Sequence, residues 1–123
     1  MSRTAQQAAG ARAEAAACDY LQGRGLQLVE RNYRCRQGEI DLIMRDGEYT
    51  VFVEVRYRRN SDFCTSAETV DGRKQRKLIS AASHYLQQHP RLMQRPARFD
   101  VIAMSRQADG PQIEWIQDAF QGA

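Results

Sequence analysis

The sequence predicts an α/β domain with a central mixed sheet, and three features carry that prediction. Two apolar, strand-like runs, IDLIM at residues 40–44 and TVFVEV at residues 50–55, are joined by a short turn containing Asp46-Gly47. One stretch of helical period precedes them and another follows. FDVIAM at residues 99–104 is a nearly continuous apolar run, suited to a strand covered on both sides. The resulting order is α-β-β-β-α-β-β, with helices available to cover a sheet.

Residues 4–22 read as an alanine-rich helix, capped by Ser2 or Thr4 and stopped at Gly23. Glu14, Ala17, Cys18 and Leu21 fall at i, i+3, i+4 and i+7, one stripe. Glu14 therefore has the phase to face whatever the helix covers; a boundary carboxylate reaching water is the other reading. Residues 26–33 alternate as a strand, with Leu26, Leu28 and Glu30 opposed to Gln27, Val29 and Arg31, and residues 34–38 form a polar turn.

In the central pair, residues two apart share a face. Val51, Val53 and Val55 make one face, and Phe52, Glu54, Arg56 and Arg58 the other. Two acids, Asp41 and Glu54, interrupt these apolar runs, and a buried carboxylate is costly without a partner. A hairpin in register puts Asp41 across from Glu54. Two carboxylates beside a cation can bind a hard divalent ion and hold a phosphate near it. An ordinary salt bridge between Glu54 and Arg56 is the competing reading.

Residues 60–72 lack any period and form a loop directly after the arginine run. Asp71 is placed to cap a helix over residues 73–88, with Leu78, Ala82, Tyr85 and Leu86 as its buried stripe. Lys74, one of only two lysines, lies one turn before Leu78 on that stripe. It can reach inward to an anion site or extend to solvent. Pro90 ends the helix, residues 105–111 form a turn, and residues 113–116 form an edge strand in which Trp115 packs.

At 123 residues, 42% hydrophobic and 27% charged, the chain reads as one soluble domain over residues 1–123. It carries no apolar signal core at residues 1–7 and no run of membrane-spanning length, so the expectation is a cytoplasmic protein without a membrane partner. Cys18, Cys35 and Cys64 are odd in number, form no CxxC pair, and share no ligand pattern with His84 or His89. Free thiols are expected rather than a disulfide framework or zinc site. Residues 47–98 hold ten Lys/Arg and five Asp/Glu, so this stretch carries +5 of a net +3 and the ends carry −2. A basic centre enclosing isolated acids fits a polyanionic partner, and a solvated arginine-rich surface fits equally.

GEIDLI at residues 38–43, FVEVRYR at 52–58, RFDV at 98–101 and DAF at 118–120 resemble the YraN family of small bacterial proteins. That family is related to restriction-endonuclease-like nucleases and Holliday junction resolvases. The resemblance runs from about Gly10 to Phe120 and rests mainly on the first two motifs. It implies a restriction-endonuclease-like core and a metal-dependent phosphodiesterase of the Asp…Glu-x-Lys type. The motif aspartate falls on Asp41, the glutamate on Glu54 and the acid of the first helix on Glu14. Arg56 stands where the lysine is usual; it keeps the charge but cannot act as a general base.

The reading that follows is a structure-selective DNA endonuclease acting on branched or otherwise non-standard DNA, with RNA as the other candidate polymer. Asp41, Glu54 and the Val55 carbonyl would hold Mg²⁺ or Mn²⁺, with Glu14 completing the set. Arg56 and Lys74 would bind the non-bridging oxygens, and Arg58, Arg59, Arg73 and Arg76 would track the backbone together with Lys74. Junction cleavage would imply a homodimer. The rival is a non-catalytic nucleic-acid-binding or adaptor protein on the same fold.

Overall fold

The computed structural model describes residues 5–58, 70–107 and 110–121. In chain order the elements are α1 (Ala5–Gly23), β1 (Gln27–Cys35), β2 (Gly38–Asp46), β3 (Tyr49–Arg58), α2 (Gly72–Gln87), α3 (Pro90–Met93), β4 (Ala97–Gln107) and β5 (Gly110–Phe120). The five strands form one mixed sheet in the order β1-β2-β3-β4-β5. β3 and β4 are parallel, and every other neighbouring pair is antiparallel. The α/β class, the mixed sheet with flanking helices and the order of the main elements are as the sequence predicts, and they are consistent with a nuclease-like core.

Each face of the sheet has its own apolar core. The valine face of β3, Val51 and Val53 with Val55 at its margin, packs with Leu42, Met44, Ile102 and Met104 under Ala13, Ala17, Cys18 and Leu21 of α1. The opposite face brings Ile43, Phe52, Phe99 and Val101 against Leu78, Ala81, Ala82 and Tyr85 of α2. β4 contributes to both cores, which explains its unbroken apolar run. The β2–β3 hairpin closes at Asp46↔Tyr49, and Gly47 adopts φ 61, a conformation that suits glycine. Asp71 caps α2, its Oδ1 accepting from the Lys74 N–H at 2.9 Å.

Some boundaries differ from the sequence reading. Residues 105–107 and 110–111 are strand rather than turn, because Ser105, Arg106 and Gln107 pair with Gln112, Pro111 and Gly110 across the β4–β5 ladder. β5 is therefore eleven residues long rather than four. Its edge position tolerates Pro111 and leaves its outward side polar. Pro90 starts the short α3 as well as following α2, since a proline at the first helical position loses no needed N–H. Cys18 and Cys35 are free thiols, as expected. Cys64 and most of the 60–72 loop lie outside the described residues.

Strand alternation fails between Ile40 and Leu42. Ile40 belongs to the α2-side core and Leu42, two residues on, to the α1-side core. Asn32, which the β1–β2 register places opposite Asp41 between the pairs Tyr33↔Ile40 and Arg31↔Leu42, has φ 52. The two strands thus change face together at Asn32 and Asp41. No helix among the described residues is long and apolar enough to cross a membrane.

Candidate active site

The change of face at Asp41 is where the β2–β3 ladder gives way. Its last paired residues are Leu42↔Val53, and continuing the register brings Asp41 opposite Glu54. Asp41 Oδ2 accepts a 2.8 Å hydrogen bond from the Val55 N–H, so a side-chain carboxylate stands where a strand carbonyl would otherwise be. Asp41 and Glu54 are close enough for their carboxylates to repel each other. The register and the two carboxylates predicted from the alternation therefore meet.

Burial and the neighbouring Glu54 push the Asp41 carboxyl up to about 8. The Val55 N–H and the Lys74 ammonium oppose that shift only in part. Asp41 accordingly favours its protonated form far more than an ordinary aspartate does. Glu14 of α1 is half-buried, and its carboxyl is raised by burial first and then by Asp41 and Glu39. A hydrogen bond with Asn32 works the other way. Glu14 thus faces inward toward the acids, as its helical phase allows.

The cation on Glu54 is Lys74, not Arg56. Lys74 Nζ lies 3.3 Å from Glu54 Oε2, reaching in from the first turn of α2 to a carboxylate only 6% exposed. The pair is close enough for attraction but lacks hydrogen-bond direction, and Glu54 Oε2 is buried without a hydrogen-bond partner. Arg56 is half-buried, and its Nε also lacks one. The competing reading of a Glu54–Arg56 salt bridge is not what the chain does.

Among the described residues, no three His, Cys, Asp or Glu side chains stand close enough together to hold a metal ion. The pair itself suits a hard divalent cation. Its donors are oxygens, Glu54 Oε2 is unsatisfied, and the Asp41 proton is one that a cation would replace. Val55 touches the pair through its N–H at 2.8 Å.

Arg73 and Arg76 are exposed on α2. Arg58 ends β3, its side chain outside those described, and Arg59 lies outside the described residues.

A second buried acid escaped the sequence reading. Asp100 is fully buried, but its carboxylate is saturated: Arg98 Nε donates at 3.0 Å, Trp115 Nε1 at 2.9 Å and the Asp118 N–H at 2.9 Å. Arg98 also reaches Asp46 at 2.9 Å. RFDV and DAF thus meet in a structural clamp over the β4–β5 irregularity, where Asp118 has φ 52. An acid within the apolar FDVIAM run was the available signal. The contrast is informative, since Asp100 has every lone pair engaged and Glu54 does not. A cavity of about 520 Å³ opens beside Tyr49, Arg98, Phe99 and Phe120, but its cation is already committed to Asp46 and Asp100.

A sequence profile of the uncharacterised protein family UPF0102 matches residues 13–104, a stretch that includes Glu14, Asp41, Glu54, Arg56 and Lys74. A UPF0102 protein of Nitrosococcus oceani is 49% identical over 112 residues, covering 91% of this chain and 90% of its own. Another, from Stutzerimonas stutzeri, is 49% identical over 115 residues, covering 94% and 96%. A third, from Pseudomonas savastanoi pv. phaseolicola, is 49% identical over 121 residues, covering 98% of each chain. With the profile spanning the GEIDLI and FVEVR motifs and these relatives matching almost end to end, the chain belongs to the UPF0102 family, the YraN family that its motifs resemble.

Proposed function

We propose that this protein is a metal-dependent, structure-selective endonuclease acting on branched or otherwise non-standard DNA. The observation that carries the reading is the pair of half-buried Asp41 and buried Glu54, with Lys74 Nζ 3.3 Å from Glu54 Oε2.

Asp41 and Glu54 would hold Mg²⁺ or Mn²⁺, with Glu14 within electrostatic reach of Asp41 and the Val55 backbone beside it. The bound ion would supply activation of water and polarisation of the scissile phosphate. Lys74 would orient a non-bridging phosphate oxygen from α2, and Arg56 would do so from β3. Lys74 brings an ammonium, which can lose a proton, to a site whose strand cation cannot. Arg58, Arg59, Arg73 and Arg76 would contact the phosphate backbone without reading bases. Cutting both strands of a junction would call for two copies of the chain.

The test is cleavage of a panel of four-way junction, flap, single-stranded and linear duplex DNA, with an RNA counterpart, in Mg²⁺ and in Mn²⁺. Metal-dependent cutting of the branched members is the expected result. Binding of the panel without cutting would establish the rival, a non-catalytic nucleic-acid-binding or adaptor protein. Two observations favour that rival: Arg56 at the usual lysine position, and the lack of a three-acid metal set among the described residues.

A further inference from the structure

α2 presents a second face beside the one that carries Lys74 to Glu54. Arg73, Arg76, Lys77 and Ser80 fall at i, i+3, i+4 and i+7 and are all exposed. They line an open groove of about 390 Å³ together with Gln37 of the β1–β2 turn. Two elements form this groove, and they meet closely: a Cβ at Gly38 would come within 3.2 Å of the Lys77 carbonyl, so only glycine fits without a shift. Arg36 is exposed on the same turn. Among the described residues no carboxylate pairs with Arg36, Arg73, Arg76 or Lys77, whereas Arg34 is paired with Glu39 at 3.7 Å.

We propose that this groove is a phosphate-tracking subsite for a double-helical arm of the substrate, beside the Glu54 site. The inference rests on the nuclease reading and extends it. Arg73 to Ser80 spans about 10 Å of helix. At one phosphate per 3.4 Å of duplex axis on each strand, that length covers the axial rise of about three phosphates. Among the described residues, no aromatic side chain lines the groove, and an unstacked single strand would use one for its bases. Its donors are three cations, an amide and a hydroxyl, all suited to phosphate oxygens and to any sequence. Lys74 points from the same first turn to Glu54, so a strand running along this face enters the site at the helix N-terminus.

The experiment measures binding of a labelled blunt 20-base-pair duplex by fluorescence anisotropy over a salt series, without added metal. It compares wild type, the triple variant Arg73→Ala/Arg76→Ala/Lys77→Ala, and a charge-matched control, Arg12→Ala/Arg24→Ala/Arg45→Ala. Circular dichroism confirms the fold of each, and calorimetry measures Mn²⁺ binding. The groove variant is expected to bind at least about tenfold more weakly, with a log–log salt slope shallower by about two to three. The control should stay near wild type, and Mn²⁺ binding should be equal in all three. Duplex binding by wild type with an unchanged affinity and slope in the groove variant would overturn this subsite and leave the nuclease reading standing. A loss seen equally in the control, or only with a single-stranded probe, would also overturn it. Failure of wild type to bind any nucleic acid would overturn both.

Discussion

Lys74 Nζ lies 3.3 Å from Glu54 Oε2, so the buried carboxylate of the central strand takes its cation from the first turn of α2. A helix-borne amine thus occupies the neighbourhood that the strand arginine two residues along would be expected to fill. Lys74→Ala should slow single-turnover cleavage about a hundredfold, the worth of one charge-stabilising contact of about 3 kcal/mol. Arg56→Lys should stay within about tenfold of wild type, with Mn²⁺ binding kept in both. The reverse ranking would transfer the role from Lys74 to Arg56.

The proton on Asp41 gives stability an unusual pH dependence. Its carboxyl is raised from 3.8 to about 8 in the folded chain by burial and by Glu54. Between those values the folded chain keeps a proton that the unfolded chain has lost, so stability falls as pH rises through the interval. Thermal melts without metal should therefore show Tm decreasing from about pH 4 to about pH 8 at this site. Asn fits the same space and can still accept from the Val55 N–H, so Asp41→Asn should flatten the trend. An identical slope in wild type and variant would place Asp41 as an ordinary ionised aspartate.

Glu54→Gln should separate stability from activity. It removes a charge from beside Asp41, so the metal-free protein should melt no lower than wild type. Cleavage should be abolished, because the proposed ligand is gone. A variant that melts well below wild type yet cuts normally per folded molecule would make Glu54 a structural partner of Lys74.

Asp100 is expected to behave in the opposite way. Its carboxylate is fully engaged by Arg98, Trp115 and the Asp118 N–H. Asp100→Ala would strand the largely buried Arg98 charge, a loss of about 3 kcal/mol that retained contact with Asp46 would soften. Denaturant unfolding should show this destabilisation, while cleavage per folded molecule should stay within about twofold of wild type.

The local features of the site were legible in the sequence. Strand period two is a short-range signal, and it marked Asp41 and Glu54 as acids inside apolar runs and sorted Val51 and Val53 from Phe52. Helical phase likewise allowed Glu14 and Lys74 to face inward, alongside readings in which each reaches solvent. What escaped depends on contacts between distant segments. The change of face between Ile40 and Leu42 depends on the positive φ of Asn32 on the neighbouring strand. Asp100 is satisfied by Trp115 and Asp118, 15 and 18 residues away. The groove beside Lys77 exists because Gly38 admits the α2 backbone closely. β5 was underestimated because a half-exposed edge strand carries few apolar positions to reveal its length.

Single-turnover cleavage of a four-way junction at saturating Mn²⁺, by wild type and by Asp41→Asn, tests the central claim most directly. The variant keeps the shape of the site and removes one of the paired carboxylates. Wild type should cut the junction, and Asp41→Asn should be at least about a hundredfold slower while binding the same DNA equally well. Equal rates in the two proteins, or no cutting by either, would contradict the assignment of Asp41 and Glu54 as the catalytic pair.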